Sequence, residues 1–275
     1  MKKDVINYEE AQKILPIFKS RFGLFVLKRL FRWLDIHKVN RIHANHIHLR
    51  GSAFTSAMLN DPLMDVRYEI HNHEILDQLP EGAFITVSNH PIGSLDGIIL
   101  IDIFASRRPD FRVMVNEILS NITAMGDNII SVIPRTDDRK SHNPKNVNGI
   151  RLAFSHLKEG HPMGFFPAGA MSFYDRKQKK VRDQPWTHSI IRLIRKANVP
   201  VYPVYFDCLN SKTFYRLGRI SWKIRQFRVA IEAFNKRGQT LHIYLGNPIS
   251  PEVIKSIPDD TDLARYLYDA TYNSK

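Results

Sequence analysis

The sequence has 275 residues, of which 43% are hydrophobic and 24% charged, proportions that are ordinary for a globular protein with a buried core. Lys and Arg outnumber Asp and Glu by 40 to 27, so the formal net charge is +13 and an anionic partner is expected. The single cysteine, Cys208, excludes an intrachain disulfide framework and a paired-cysteine metal site, which favours a reducing, cytoplasmic compartment.

The first 50 residues are predicted to form an N-terminal helical region in front of a main domain, residues 51–275. The opening MKKDVINYEEAQKILPIF lacks the apolar core of a signal peptide because glutamates and Pro16 interrupt it. The stretch FGLFVLKRLFRWLDI predicts a helix with Lys28, Arg32 and Asp35 on one side and a broad apolar arc on the other. Such a helix can lie in a membrane interface, or it can dock on the main domain. No apolar run approaches the roughly 18 residues that span a bilayer.

From about residue 66 onward, short apolar runs alternate with helix-period segments, a pattern that predicts an α/β fold with a sheet covered by helices. The predicted strands are Phe84–Ser88, Arg112–Val115, Ile129–Ile133, Gly164–Pro167, Val201–Phe206 and Leu241–Leu245. The predicted helices cover residues 96–106, 117–125, 145–158, 186–197 and 260–271.

The segment SNHPIGSLDG follows the first of these buried strands. Its His90 and Asp96 are six positions apart, a rotation of about 240° on a helix, so they cannot share a helical face. Pro91 and Gly93 favour a turn that places His90 before a helix and Asp96 in its first turn. A hydrogen bond between them would fix the imidazole tautomer and leave the other ring nitrogen free to take a proton. The alternative is a purely structural pair, a turn histidine and a helix-start carboxylate.

The residues Asn89, His90, Pro91, Gly93, Asp96 and Gly97 resemble the first motif of the PlsC-like glycerolipid and lysophospholipid acyltransferase superfamily. Five residues separate the His and Asp here where four are usual. This spacing is similar to that of a hemolysin-like bacterial branch related to amino-acid-lipid O-acyltransferases. The resemblance implies a central mixed sheet, a catalytic dyad of His90 and Asp96, substrate contacts from Asn89 and Gly93, and no bound cofactor or metal.

Three later segments are similar to further motifs of the superfamily. VNEIL and NIISVIPR lie at the second, and the resemblance makes Arg135 an acceptor or phosphate contact. FPAGAMS lies at the third, where Ala168 and Met171 replace a Glu and an Arg tied to acceptor binding, which argues against a glycerol phosphate acceptor. VPVYPVYFDCLNS is similar to the fourth. The resemblance at the third motif implies substrate binding by Phe166, Pro167, Gly169 and Ser172. It also suggests backbone N–H groups near Gly169 as oxyanion donors.

The resemblance implies transfer of a fatty acyl group from acyl-CoA or acyl carrier protein to the hydroxyl of a lysolipid. Such a protein is expected to be peripheral, on the inner face of the cell membrane and attracted by anionic lipids. A basic loop follows the third motif and is expected either to meet an anionic headgroup, phosphate or carrier protein or simply to be solvated: Arg176, Lys177, Lys179, Lys180 and Arg182.

Other functions are less well supported. The histidines His43, His46, His48, His71 and His73 lack the spacing and partners of a metal site. Ser94 and Cys208 lack the context of a covalent nucleophile. The segment RLGRISWKIRQFR and the pI of 9.8 motivate a nucleic-acid-binding hypothesis. The sequence has no recognised nucleic-acid-binding signature, so nucleic acid is not an expected partner. A catalytically idle, lipid-binding relative is the other alternative.

Overall fold

The computed structural model describes residues 4–14, 16–133, 144–221, 225–226 and 228–275. Its centre is a seven-stranded sheet in the order β1-β9-β8-β2-β5-β3-β4, and β6 and β7 form a separate antiparallel hairpin. β1 and β9 run parallel to each other and opposite to the other five, so the sheet is mixed as predicted. The strands are β1 Arg67–His71, β2 Ile85–Ser88, β3 Arg112–Asn116, β4 Ile129–Val132, β5 Met163–Phe165, β6 Phe173–Asp175, β7 Lys180–Arg182, β8 Val201–Asp207 and β9 Thr240–Leu245.

Helices cover both faces of this sheet and bury two apolar clusters against it. Along β2, Ile85 and Val87 belong to one cluster while the preceding Phe84 belongs to the other, as the two-residue period of a strand requires. The helices are α1 Tyr8–Ile14, α2 Arg21–Trp33, α3 Ile36–His46, α4 Gly51–Asn60, α5 Ser94–Ala105, α6 Pro144–Lys158, α7 His188–Ala197, α8 Lys212–Ile220, α9 Val229–Phe234, α10 Pro251–Ser256 and α11 Asp260–Tyr272.

Helix α5, which follows β2, is buried from Leu95 to Ala105. Its interior charge, Asp102, accepts hydrogen bonds from the Thr55 hydroxyl of α4 at 3.0 Å and the Tyr68 hydroxyl of β1 at 2.6 Å. A buried carboxyl costs stability unless it is hydrogen-bonded, and here its bonds join three elements. These bonds hold the C-terminal half of α5 against α4 and β1.

The six predicted strands are present, each within two residues of its predicted ends. The helix predicted over residues 117–125 is wrong: the chain forms two 3₁₀ helices, Glu117–Asn121 and Thr123–Asn128. The Asn116 side chain accepts from the Ile118 N–H, and the Ser120 hydroxyl donates to the Glu117 carbonyl. Polar side chains that bond to nearby backbone compete with the regular helical pattern, which keeps these turns short.

The predicted N-terminal helix also differs from expectation. It ends at Trp33, because Asp35 adopts a left-handed conformation with φ of 56°, and a second helix, α3, begins at Ile36. Leu27 and Phe31 of α2 are buried, so the helix docks on the protein. Four apolar side chains of this segment, here named the aromatic strip, remain exposed. They are Ile17 of the preceding 3₁₀ turn and Phe22, Phe25 and Trp33 of α2, at 78, 75, 56 and 61%.

No helix in the described part of the chain combines the length and the apolar character needed to cross a membrane.

Candidate active site

Three neighbouring strands, β2, β5 and β8, are parallel, so their carboxyl ends meet at one edge of the sheet. The loop after β2, Asn89–Gly93, is here named the catalytic loop. Asn89 was predicted to contact substrate, but its side chain is committed to β8: its amide donates to the Phe206 carbonyl at 3.0 Å, and its oxygen accepts from the Phe206 N–H at 2.7 Å. Asn210, after β8, donates to the carbonyls of Pro91 and Ile92. The loop is thus anchored by side-chain bonds at both ends.

His90 and Asp96 meet across this loop. The imidazole Nδ1 lies 2.9 Å from Asp96 Oδ2, which also accepts from the N–H groups of Ile92 and Gly93, both at 3.0 Å. Asp96 is the third residue of α5, the position from which an acidic side chain bonds the N–H groups that precede a helix. Asp96 is fully buried, whereas His90 is 19% exposed. The carboxylate is therefore held inside, and the imidazole reaches the surface.

The orientation of the imidazole follows from these bonds. Nδ1 donates to a carboxylate, so the neutral ring carries its hydrogen on Nδ1 and an unprotonated Nε2. Among the described residues, no group bonds to Nε2. The His90 ring stacks on Phe166, with centroids 4.2 Å apart and planes at 26°, so the third motif supports the ring from one side. A base positioned in this way can accept a proton from a bound hydroxyl.

Met171 packs closely against Gly93 of the catalytic loop. Gly93 has φ of +110° and ψ of −119°, a conformation open essentially to glycine alone. A Cβ at this position would lie 2.7 Å from Met171 Sδ and 3.1 Å from Val229 Cγ1. Met171 is buried in a small cluster with Phe214 and Tyr215. The residue that stands in place of the motif's Arg is therefore an apolar cover on the loop.

A second buried carboxyl, Asp183, also supports the catalytic loop, and sequence reasoning did not identify it. It accepts from the His90 N–H at 3.2 Å and from the Ser172 hydroxyl at 2.5 Å, while the Ser172 N–H donates to the His90 carbonyl at 2.8 Å. The Asp183 N–H in turn donates to the Tyr272 hydroxyl at the end of α11, at 3.1 Å. Ser172, predicted to bind substrate, instead points to Asp183.

Comparison with known proteins bears on this geometry. The model of a family described as Acyltransferase matches residues 11–273, nearly the whole chain. The chain belongs to this acyltransferase family. Two curated relatives are both named lyso-glycine lipid O-acyltransferase. The one from Bacteroides thetaiotaomicron is 29% identical over 217 residues, covering 76% of this chain and 75% of the relative. The one from Phocaeicola vulgatus is 27% identical over 287 residues, covering 99% and 97%.

The other residues predicted for the acyltransferase site lie as follows. Pro167 is buried, and its carbonyl accepts from the Thr187 N–H at 2.8 Å. Gly169 is exposed with φ of 64°, and its N–H, a predicted oxyanion donor, is used in a turn to the Phe166 carbonyl at 2.9 Å. Arg135 lies outside the described residues.

The predicted basic loop of the acyltransferase is a hairpin formed by β6 and β7, here named the basic hairpin. Short strands form because Asp175 accepts from Arg182 at 2.7 Å and from the N–H groups of Lys177 and Gln178 at the turn. Arg182 is thus paired with a carboxylate, which differs from the expectation of a free basic residue. The exposed bases of the hairpin are Arg176, Lys177, Lys179 and Lys180.

The histidines considered for a metal site do not gather in one place. His43 is buried against Phe54, and His46 bonds to Asp61 at 2.9 Å. Within the described ranges, one group with metal-ligand character occurs, formed by Glu69 and His71 of β1 with His242 of β9, whose ligand atoms lie within 4.8 Å of one another. It lies on the strands at the edge of the sheet, apart from the catalytic loop.

Cys208 follows β8 close to the site. Burial raises the pKa of its thiol well above the usual range, with the nearby Asp96 adding to the effect. A thiol held neutral in this way is a poor nucleophile. Cys208 is therefore a poor candidate for a covalent nucleophile.

We expect Asp183→Asn to change how the stability of the acyltransferase depends on pH. Burial raises the pKa of Asp183 to about 6 from 3.8, although the donors Ser172 and His90 oppose this rise. The folded chain therefore holds the proton more tightly than the unfolded chain, so the charge penalty is absent below about pH 4 and complete above pH 6. Two pK units correspond to ~3 kcal/mol. Relative to wild type, the free energy of unfolding of Asp183→Asn should rise by this amount between pH 4 and 7, measured by urea unfolding.

The matched control is Asp127→Asn, at an exposed position, where a substitution is expected to change the free energy of unfolding by no more than about 0.5 kcal/mol. A flat difference over the same pH range for Asp183→Asn would show that its carboxyl titrates alike in the folded and unfolded chains, contrary to the prediction.

Proposed function

We propose that this acyltransferase moves a fatty acyl group from a thioester to the hydroxyl of a lysolipid, with an amino-acid lysolipid as the acceptor class. The observation that carries the proposal is the pair His90 Nδ1 and Asp96 Oδ2, 2.9 Å apart at the carboxyl ends of three parallel strands. The curated names of the two relatives, both of which act on lyso-glycine lipid, support this acceptor class. The replacement of the motif's Glu and Arg by Ala168 and Met171 agrees with an acceptor other than glycerol phosphate.

In the proposed reaction, His90 Nε2 takes the proton of the acceptor hydroxyl as the hydroxyl oxygen attacks the thioester carbonyl carbon. Asp96 holds the imidazole in its reactive tautomer and stabilises the imidazolium that forms. The tetrahedral intermediate then expels the thiolate, which takes the proton from His90 and leaves as a thiol. The products are the ester and the free thiol carrier, and His90 returns to its neutral form.

The donor proposed is acyl-CoA or acyl carrier protein, both of which carry phosphate near the thioester arm. The basic hairpin supports this assignment because it directly follows the third motif and exposes four basic side chains. The fifth, Arg182, is paired with Asp175. An anionic donor would also be drawn by the net charge of +13. No bound cofactor or metal takes part in the proposed reaction.

The membrane surface is the second proposed partner, on the inner face of the cell membrane where lysolipid acceptors would lie. The aromatic strip supports this proposal because four large apolar side chains of the N-terminal segment are exposed. Exposed bases accompany it, and the Arg29 guanidinium lies 5.7 Å from the centre of the Phe25 ring. Aromatic and basic side chains on one surface suit an interface with anionic lipids.

The function is tested by incubating the purified protein with a radiolabelled acyl thioester and a panel of lysolipids. We expect transfer to an amino-acid lysolipid, glycine N-acylated by a hydroxy fatty acid, at least ~10-fold faster than to lysophosphatidic acid, because a site built for one polar group rejects another. Absence of transfer to every lysolipid, with lipid binding retained, would instead favour the catalytically idle alternative.

The membrane proposal predicts that Phe22→Ser combined with Trp33→Ser weakens binding to vesicles containing anionic lipid by at least ~10-fold, since each aromatic side chain would lose apolar contact with lipid. The measurement is co-sedimentation with vesicles of 30% phosphatidylglycerol, a composition of about one anionic lipid in three. Ile118→Ser, at another exposed apolar position, is the control and should bind as wild type does. Equal binding by the double variant would overturn the proposal for this surface.

A further inference from the structure

The guanidinium of Arg225 lies beside the catalytic loop, and the proposed reaction does not use it. Its Nη1 donates to the Ser172 carbonyl at 3.2 Å, and the Ser172 N–H donates to the His90 carbonyl at 2.8 Å. One residue therefore separates the guanidinium from the backbone of the proposed base. The side chain also passes closely over α8, where a Cβ on Gly218 would lie 2.8 Å from Arg225 Cδ.

Arg225 is held in place although none of the residues that the structure describes is a charge partner for it. Its guanidinium carbon lies 5.2 Å from the centre of the buried Phe214 ring, a cation–π arrangement. Burial lowers the pKa of Arg225, the effect expected when a cation is removed from water. Among the described residues, no carboxylate forms an ion pair with it, and its Nε is buried without a hydrogen-bond acceptor. Arg225 is half-buried, and a charge that is largely withdrawn from water is normally paired, so this guanidinium favours the binding of an anion.

The neighbouring Arg228 makes the contrast clear. Its Nε is likewise buried without an acceptor, but its Nη2 lies 3.4 Å from Glu232. Glu232 is fully buried and also accepts from the Ser211 hydroxyl and N–H. Within the part of the chain that the structure describes, a carboxylate thus pairs with one arginine of this segment and none pairs with the other. A guanidinium has five N–H donors in a planar fork that suits the two oxygens of a carboxylate or phosphate.

We propose that Arg225 binds an anionic group of a substrate, a carboxylate of the acceptor or a phosphate of the donor, beside His90. The site takes over the charge lost from the third motif, where the apolar Met171 now stands. A glycine joined to a fatty acid through its nitrogen keeps a free carboxylate, which Arg225 would bind while the hydroxyl meets His90. The inference rests on the proposed function for the position of the hydroxyl, but the anion site itself is independent of turnover.

The binding test uses protein that cannot turn over, so that it is separate from the proposed function. Binding of two probes to His90→Ala and to His90→Ala combined with Arg225→Met is measured by calorimetry. The probes are glycine N-acylated by a hydroxy fatty acid, and coenzyme A. Methionine keeps much of the side-chain volume and removes the charge, and we expect Kd for one probe to rise by about 100-fold. The methyl ester of the glycine probe and pantetheine, which lack the anionic groups, should bind both proteins alike.

A loss confined to the glycine probe assigns the anion to the acceptor, and a loss confined to coenzyme A assigns it to the donor. Unchanged Kd values for both probes would overturn the site. Arg219→Met is the matched control, because it removes one exposed charge from α8 and should alter neither Kd. Arg225→Lys keeps the charge without the fork and should give an intermediate loss of about 10-fold, which also guards against a folding defect in Arg225→Met.

Kinetics of the His90-containing enzyme complete the test. Arg225→Met should raise KM for the charged substrate by about 100-fold with little change in kcat, and should leave KM for the uncharged analogue within about threefold. An equal loss with charged and uncharged substrates would indicate a purely structural role for Arg225 and would overturn the proposal. If wild type transfers no acyl group but binds a probe through Arg225, the proposed function fails and the anion site stands.

Discussion

His90→Ala is expected to reduce the acyl-transfer rate by at least ~1,000-fold. General-base catalysis is commonly worth 10²- to 10⁴-fold, and in the proposed reaction the imidazole takes the proton of the acceptor hydroxyl. The substitution leaves Asp96 bonded to the Ile92 and Gly93 N–H groups, so the loop keeps two of the three bonds to that carboxylate. The loss should therefore appear in kcat, with the acceptor Kd within about threefold of wild type.

A second His–Asp pair in the protein provides a matched control. His161 forms a His–Asp bond of similar geometry, with Nδ1 2.7 Å from Asp110 Oδ2, but it does not lie on the catalytic loop. His161→Ala should leave the rate within about twofold of wild type, a typical outcome for a partly exposed position away from the site. A His90→Ala enzyme with more than about a tenth of the wild-type rate would show that His90 is not the general base.

Asp96→Asn is expected to reduce kcat by about 10²- to 10⁴-fold. The carboxylate accepts three hydrogen bonds on one oxygen, two of them from backbone N–H groups whose direction is fixed. An asparagine must either turn its NH₂ toward those donors or keep its oxygen there with a weaker, uncharged acceptor. In both cases the imidazole loses the charge that orients it and stabilises the imidazolium. Rate measurements with saturating acceptor test this directly.

The combined variant sharpens the prediction. If Asp96 acts through His90, then His90→Ala with Asp96→Asn should be no slower than His90→Ala alone, because residues that act as a unit are strongly non-additive. Asp110→Asn, which alters the surface His161 pair, should retain wild-type activity. Independent, multiplying losses from His90 and Asp96 would contradict the assignment of one dyad.

Of the strands that the sequence predicts correctly, β2, β5 and β8 are almost continuously buried, whereas β3 and β9 alternate buried with less buried residues, and both patterns are strand signals. β1 escaped prediction because its residues, RYEIH, alternate between partly and fully exposed positions at the edge of the sheet. β6 and β7 have three residues each, too few for a periodic signal. The break at Asp35 depends on a single backbone conformation that an apolar pattern does not encode.

The local part of the candidate site could be predicted, because a turn and a helix start bring His90 and Asp96 together within seven residues. Asp183 could not, because it reaches His90 across 93 positions of sequence and only the folded sheet makes the two neighbours. The sequence contains one indication of Asp183, because this acidic residue directly follows the basic run that ends at Arg182. Arg225 lay in a basic segment that we first considered for nucleic acid, and the structure instead buries it beside Ser172.

The apolar cover that Met171 and Val229 form over Gly93 bears on how acceptor range can diverge among relatives. The catalytic loop is bound to β8 by the buried side chain of Asn89, whereas the cover is delivered by segments outside the large sheet. Substitutions in these segments reshape the space above the loop without disturbing the core beneath it. Under the proposed function, acceptor preference is therefore expected to vary through these covering segments while His90 and Asp96 stay the same, and directed evolution of acceptor preference is best begun there.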